Sequence, residues 1–313
     1  MALRAILVAV VMAGLALVPV AARVLDEPFY LDLFGRIIIY ALAAQSLGLI
    51  LGFGGMVSFG HAAYLGIGGY AVAILASHGV ESALVQWPTA VLMSAAFAFL
   101  TGLVSLRTSG VYFIMVTLAF AQMLFYFFSS LEAYGGDDGL TVWTRSTFPG
   151  VLDLDDDTAL YYVALGLLSA ALLLSHRLVD SRFGMVIRGA KSNERRMHAL
   201  GYPVFRYKLT AFTIVGAMGG LAGALLANEA EFVSPNVMHW SRSGEILVMV
   251  ILGGMGSVFG PVLGAVSYLL LDHYLAELSQ HWRIVFGPAL VLVVLLARGG
   301  IWGALATMGP RRA

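Results

Sequence analysis

The sequence predicts an all-α polytopic membrane protein with about ten transmembrane helices. Two observations favour this class over a soluble fold. Of the 313 residues, 60% are hydrophobic and only 12% are charged, and the mean hydropathy is +0.88. The apolar residues also lie in runs of about 20 residues, which is the length of helix that spans a bilayer. We therefore expect one transmembrane domain over residues 1–313.

Ten apolar runs define the expected helices. The first run follows Arg4 and precedes the small-residue segment "PVAA", a pattern that signal peptides share, but the length of the run favours an uncleaved helix. The runs cover residues 5–22, 33–51, 56–77, 84–106, 110–130, 158–175, 209–227, 243–260, 262–278 and 283–297.

The lysine and arginine residues predict the orientation of the chain. The loop 176–208 holds eight of them against two acidic residues, so we place this loop in the cytoplasm. The loop 131–157 has one basic residue, Arg145, among seven acidic residues, and we expect a solvated periplasmic loop. Ten crossings then put both termini in the cytoplasm. The basic residues of the first loop are Arg177, Arg182, Arg188, Lys191, Arg195, Arg196, Arg206 and Lys208.

A Gly-Gly-Met motif occurs twice in the apolar regions. Residues 54–60 have the sequence "GGMVSFG", and residues 253–260 have the sequence "GGMGSVFG". By the apolar runs, the two copies lie in the third and eighth segments, which are five crossings apart. Because an odd number of crossings reverses the direction of the chain, the motif predicts an inverted repeat of segments 2–5 and 7–10, a plan that recurs in transporters.

The glycines of these motifs allow two interpretations. Each glycine weakens a helix by roughly 1 kcal/mol relative to alanine. Either the glycines let helices pack closely, or both segments are broken where they line a translocation path, since a break is tolerated only against protein or a water-filled cavity. The second interpretation assigns to the path Gly54, Gly55, Met56, Ser58, His61, Gly253, Gly254, Met255 and Ser257.

The sequence lacks the motifs of several enzyme classes. It has no cysteine, and it has no Walker lysine motif, metal-ligand helix or nucleophile elbow. Since no acidic residue falls in the middle of a predicted helix, a proton-driven transporter is disfavoured. We expect no catalytic residue, metal or cofactor in this chain and no nucleic-acid partner. The alternatives are an ATPase-independent transporter or channel and a membrane-embedded enzyme.

A short amphipathic helix is expected within the basic loop, at the sequence "SNERRMHALG". Ser192 or Asn193 is a suitable N-cap, and Gly201 followed by Pro203 would end the helix. A helix at this position suits docking to another protein, in addition to the contact that basic residues make with anionic membrane lipid.

Three longer motifs resemble a known family. They are "SRFGMVIRGAKSNERRMHALGYPVFRYKLTAFTIVGAMGGLAGAL", "ILVMVILGGMGSVFGPVLGA" and "LGLILGFGGMVSFGHAAYLGIGGY". From about residue 36 to residue 300, the chain closely resembles the LivM-type permease subunit of branched-chain amino acid ABC importers, in the LivH/LivM family. Similar permeases carry amides, urea or small carboxylates, so these substrates are the alternatives within the family.

The resemblance implies an importer assembly in the bacterial inner membrane. This permease and a LivH-type partner would form the channel, two cytoplasmic ATPases would use ATP and Mg, and a periplasmic binding protein would deliver the amino acid. Residues 192–201 match the family's coupling helix, which contacts an ATPase, although Arg195 and Arg196 stand where relatives often carry an acid and alanines. The implied coupling residues are Ser192, Asn193, Glu194, Arg195, Arg196, Ala199, Leu200 and Gly201.

Overall fold

The chain folds as a bundle of helices. The computed structural model describes residues 2–148, 154–278, 286–288, 291 and 299–307. Its helices are α1 (Ala2–Leu25), α2 (Phe29–Gly48), α3 (His61–Ser77), α4 (Ala83–Ser105), α5 (Val111–Ser129), α6 (Asp157–Asp180), α7 (Arg182–Ser192), α8 (Glu194–Ala199), α9 (Val204–Ala230), α10 (Trp240–Gly253), α11 (Gly260–Leu278) and α12 (Gly300–Thr307).

The membrane class is confirmed by the length and hydropathy of these helices. Six of the described helices are long and apolar enough to cross a bilayer: Ile6–Leu25, Phe29–Phe53, Ala83–Ser105, Val111–Ser129, Asp157–Asp180 and Val204–Ala230. α3 is equally apolar but has only 17 residues. The expected runs 243–260 and 262–278 correspond to α10 and α11, and most of the run 283–297 lies outside the described residues.

Two helices form the middle of the bundle. The apolar window of α2 is 78% buried and that of α9 is 67% buried, whereas the windows of α1 and α5 are each 17% buried. α2 packs against α6, α9, α10 and α11, while α9 packs against α3 and α4. Because α2 and α9 are enclosed by other helices, their small residues are surrounded by protein rather than by lipid.

Glycine permits the close crossing of α3 and α9. A Cβ atom on Gly68 would lie 2.0 Å from the carbonyl oxygen of Gly220, and a Cβ on Gly223 would lie 1.9 Å from that of Leu65. These contacts are backbone against backbone, so no side chain can turn away to make room. For the glycines within α3, the close-packing interpretation is therefore the correct one.

The acidic loop is not simply solvated, contrary to expectation. Its residues Leu140–Thr141 form a strand, β1, that pairs antiparallel with β2, Phe232–Val233, after the end of α9. Val142, Ser146 and Leu154 are buried. The acidic side chains of the described residues face water, but the segment between them packs onto the ends of the helices.

Buried hydrogen bonds attach this loop to α4 and α9. The backbone N–H of Ser146 donates to Oδ1 of Asn228 at 2.7 Å. The Ser146 hydroxyl donates to Oε1 of Gln86 and accepts from Nε1 of Trp87. Ser146, Gln86 and Asn228 are fully buried, so each polar group needs a protein partner. Together they fix the loop at the end of α9 that lies far from α8.

Arg145, the single basic residue of the loop, anchors it to α6 and to the turn after α9. Its guanidinium donates to the carboxylate of Asp157 at 2.6 Å and lies 2.9 Å from the carboxylate of Glu231. Burial lowers the pKa of Arg145, but the hydrogen bond and charge of Asp157, with Glu231 and Asp155, outweigh burial and raise it. The side chain therefore stays cationic at every physiological pH.

We expect the substitution Asn228→Ala to destabilise the protein, because it leaves the buried N–H of Ser146 without its acceptor. A buried unpaired donor costs about 1–3 kcal/mol, so the Tm in detergent should fall by several degrees. Trp143→Ala is the matched control, because Trp143 lies on the same loop and is 89% exposed. An equal Tm for the two variants would contradict this role of Asn228.

Candidate functional site

The first Gly-Gly-Met copy interrupts the helical chain. α2 widens into a π-helical turn at Leu49–Phe53, and the residues 54–60 then run without regular structure until α3 begins at His61. Gly55 has φ +69°, a left-handed conformation that glycine adopts without the steric cost of a Cβ. We call residues 49–60, which comprise the π-helical turn and this irregular segment, the first break.

Hydroxyl groups satisfy the backbone of the first break. Phe59 N–H donates to Oγ1 of Thr117 on α5 at 3.2 Å, and Gly60 N–H donates to Oγ of Ser58 at 3.2 Å. Ala62 N–H, in the first turn of α3, donates to Oγ of Ser243 on α10 at 3.0 Å. Unpaired backbone groups are costly away from water, so these serine and threonine residues explain how an unwound segment persists between α5 and α10.

The second copy repeats this construction between α10 and α11. Residues 254–259, which we call the second break, begin with Gly254 at φ +113°. The hydroxyl of Ser257 accepts hydrogen bonds from the N–H groups of Phe259 and Gly260, each at 3.1 Å. In both copies, the second glycine has positive φ, and the serine hydroxyl accepts a backbone N–H at or next to the first residue of the next helix. The shared sequence therefore encodes a shared local structure.

The two breaks meet, at the ends of two parallel helices. A Cβ on Gly52 would lie 2.0 Å from the carbonyl oxygen of Met255, and a Cβ on Gly48 would lie 3.6 Å from Val250. α2 and α10 therefore run in the same direction where they pack. The sequence had placed the copies inside segments three and eight, in opposite directions. That prediction is wrong for the motif itself, because each copy ends a helix and begins the next.

The residues assigned to a path are mostly enclosed in this conformation. His61 is fully buried, its Nε2 lies 2.6 Å from the Ser46 hydroxyl on α2, and its ring stands edge-on to Tyr64. His61 thus links α2 to α3. Buried with it are Gly54, Met56, Ser58, Gly253 and Gly254, while Ser257 is half-buried and Gly55 and Met255 are exposed.

The basic loop contains two helices rather than one. α6 continues to Asp180 and α9 begins at Val204, so the connection is shorter than the expected 176–208. Asn193 caps α8, because its side chain accepts from the N–H of Arg196 at 2.9 Å, whereas Ser192 is the last residue of α7. α8 ends at Ala199, and Gly201 follows with φ +84°. The expected short helix is therefore present, with Asn193 as its N-cap.

Two contacts hold α8 in place while its outer face stays free. Glu194 forms an ion pair with Lys208 of α9 at 2.7 Å. The side chain of Met197 lies over Gly189 of α7. Arg195 and Arg196 are exposed, and no residue of α8 is buried. The assigned coupling residues thus form a fixed, exposed and cationic surface.

Sequence reasoning missed the link between this loop and the first break. Lys191 of α7 extends along Gly55, and its Nζ donates to the carbonyl oxygen of Gly52 at 2.6 Å. Ile187, one turn earlier, lies against Gly54. The signal was present in the sequence, because residues four apart share one face of a helix. The sequence did not identify what that face would contact.

Comparison with known proteins identifies the family. Residues 29–305 match the family model described as "branched-chain amino acid transport system / permease component". The chain belongs to this family. It is 30% identical to the high-affinity branched-chain amino acid transport system permease protein LivM of Salmonella typhimurium, over 86% of this chain and 69% of that protein. No solved structure matches the chain.

Two other permeases that are similar to the chain extend the comparison. The permease BraD of Pseudomonas aeruginosa, also named for high-affinity branched-chain amino acid transport, is 23% identical over 84% of this chain and 91% of its own length. The autoinducer 2 import system permease LsrC of Salmonella paratyphi B is 28% identical over 50% of this chain and 48% of its own. The chain is thus a transport permease, and its relatives include permeases named for more than one solute.

Proposed function

We propose that the chain is one permease subunit of an ABC importer that moves branched-chain or related hydrophobic amino acids across the inner membrane. A LivH-type permease would complete the channel, a periplasmic binding protein would deliver the solute, and two ATPase subunits would hydrolyse Mg-ATP. The observation that carries the proposal is the exposed helix α8, which is joined through α7 to the two breaks in a chain of this permease family.

We propose about ten crossings, with segments 2–5 and 7–10 as an inverted repeat. Helix packing supports this arrangement, because exchanging α2 with α9, α3 with α10 and α4 with α11 reproduces the main contacts. α2 and α9 run antiparallel, since Arg36 near the start of α2 lies 3.8 Å from Glu229 near the end of α9. The Gly-Gly-Met copies are not exchanged by this relation, because they end α2 and α10.

The proposed orientation places α8, both breaks and both termini on the cytoplasmic side. The distribution of basic residues supports it, since the α7–α8 connection is strongly basic and the loop around Arg145 is strongly acidic. An exposed cationic helix on this side is accessible to cytoplasmic ATPases. The acidic loop, fixed by Ser146 and Arg145, would then face the binding protein.

The breaks supply a mechanism for alternating access. An unwound segment that is capped by hydroxyls exchanges hydrogen-bond partners at lower cost than a continuous helix does. The first break lies between α5 and α10, so separating these helices would expose residues 54–60 to the path. In the proposed cycle, closure of the ATPases moves α8 and changes the contact between the breaks.

A second candidate is a permease of the same architecture for a different small solute. The similarity to the autoinducer 2 permease over half of the chain favours keeping this candidate. The two candidates share the permease fold and the ATPase partners. They differ in the solute that the binding protein delivers, so transport measurements decide between them.

The test is reconstitution of the complex. The tagged chain is purified from its own membrane with its native partners, inserted into liposomes with the binding protein on one side and ATP on the other, and given radiolabelled leucine, isoleucine or valine. ATP-dependent accumulation is expected, and an ATPase-inactive partner subunit should abolish it. Uptake without ATP would contradict the importer, and uptake of only a different solute would favour the second candidate.

A further inference from the structure

We propose that Lys191 is a positioning residue that transmits the movement of α8 to the helix breaks. The inference rests on the proposed function, because it assigns a route by which force applied at α8 changes the breaks. Lys191 would take part in no chemistry and would contact no solute. Its role would be to keep the end of α2 attached to α7 while the ATPases move.

The first step in the argument is the hydrogen bond at the end of α2. The last carbonyl groups of a helix lack partners within the helix and carry partial negative charge. The carbonyl of Gly52, in the π-helical turn that ends α2, accepts from the ammonium group of Lys191 at 2.6 Å. A cation at a helix C-terminus is favourable, so this bond joins α7 to the end of α2 electrostatically as well as sterically.

The second step is the fit of α7 against the first break. The aliphatic part of Lys191 lies along Gly55, where a Cβ would be 3.0 Å from its Cγ, and Ile187 lies against Gly54. Both side chains stand on the same face of α7. Translation of α7 therefore acts on the backbone at Gly52, Gly54 and Gly55, which have no side chain of their own to absorb the movement.

The third step is the rigid connection between α7 and α8. One residue, Asn193, separates the two helices, and its side chain caps α8. Met197 of α8 packs onto Gly189 of α7. At the other end of the route, Gly52 touches Met255 of the second break. The contacts are therefore continuous from the exposed surface of α8 to both breaks.

The test compares Lys191→Met with Lys191→Arg in the reconstituted complex. Arg188→Met is the matched control, because it removes another exposed positive charge from α7. The readouts are assembly with the ATPases, the rate of ATP hydrolysis, the kcat and KM of transport, and the ATP used per solute. The kinetic constants of transport and the ATP used per solute distinguish transmission of movement from a general role in folding, whereas assembly and the rate of ATP hydrolysis do not.

Lys191→Met should assemble and hydrolyse ATP, with kcat for transport about tenfold lower, KM unchanged and ATP use per solute correspondingly higher. Lys191→Arg should restore most of the coupling, and Arg188→Met should match the native protein.

An unchanged ATP-to-solute ratio in Lys191→Met would overturn the proposal. If Lys191→Met fails to assemble, Lys191→Gln replaces it, and failure of both variants to assemble would show a folding role instead. A native complex that transports without ATP would contradict the proposed function, not this inference alone.

Discussion

Replacing Arg195 and Arg196 together with glutamate is expected to abolish most transport while the chain still inserts and folds. Both side chains are exposed on α8, the surface proposed to dock into an ATPase. α8 itself should survive, since anionic residues are favourable in the first turn of a helix. Placing like charges opposite each other at an interface costs on the order of several kcal/mol, and every ~1.4 kcal/mol is about a tenfold loss of affinity for the partner.

The measurement is ATP-driven uptake in liposomes, together with the amount of ATPase that co-purifies with the permease. Uptake should fall more than about tenfold, and ATP hydrolysis should no longer respond to the loaded binding protein. Arg177→Glu with Arg182→Glu is the control, because both residues are exposed and basic but lie outside α8. Native uptake by the α8 variant would show that α8 is not the coupling surface.

Local sequence was sufficient for the long apolar helices that the structure describes, but not for α7 or for the ends of the unwound segments. The apolar run 56–77 predicted a helix that starts at the Gly-Gly-Met motif, whereas α3 starts at His61. The difference depends on Thr117 and Ser243, which supply hydroxyls to the backbone near the start of α3. These residues are 58 and 181 positions away from their partners, so no local pattern indicates them.

The acidic loop also shows that distant hydrogen-bond partners cannot be predicted from local sequence, here for a segment that was expected to be solvated. Its charge correctly indicates that the acidic side chains of the described residues face water, but the same charge pattern predicted a loop that is solvated throughout. Ser146 is nevertheless buried, because Gln86 and Asn228 reach it from 60 and 82 positions away. Burying a polar side chain costs little free energy only where hydrogen-bond partners are in place. The sequence does not show where those partners lie.

The glycines divide between the two interpretations that the sequence left open. Gly54 and Gly55 belong to a break, whereas Gly68 and Gly223 allow α3 and α9 to approach closely. Both roles place glycine in an apolar segment, so composition alone does not separate them. What separates the two roles is which atoms lie next to each glycine Cα, and those neighbours are known only from the packed structure.

The substitution Gly52→Ala adds only one methyl group, but we expect it to impair transport strongly. Its Cβ would lie 2.0 Å from the carbonyl oxygen and 3.1 Å from the carbonyl carbon of Met255. These are backbone atoms, so one break would have to move away from the other. Overpacking of this kind costs about 1–3 kcal/mol, and here the cost falls on the contact that the proposed cycle must make and release. We expect uptake to fall about tenfold or more and the Tm to fall by several degrees.

Gly256→Ala provides a control within the second break itself. Apart from its two chain neighbours, no heavy atom of the described residues lies within 4 Å of the position that its Cβ would take, and its φ is not in the left-handed region. This variant should transport at the native rate and unfold at the native Tm. Uptake and Tm are measured on complexes matched for subunit content, so that poor assembly is not mistaken for slow transport. If Gly52→Ala transports as well as Gly256→Ala does, the meeting of the two breaks is not part of the transport cycle. If Gly52→Ala alone is slow in assembled complexes, the breaks must approach closely for solute to pass.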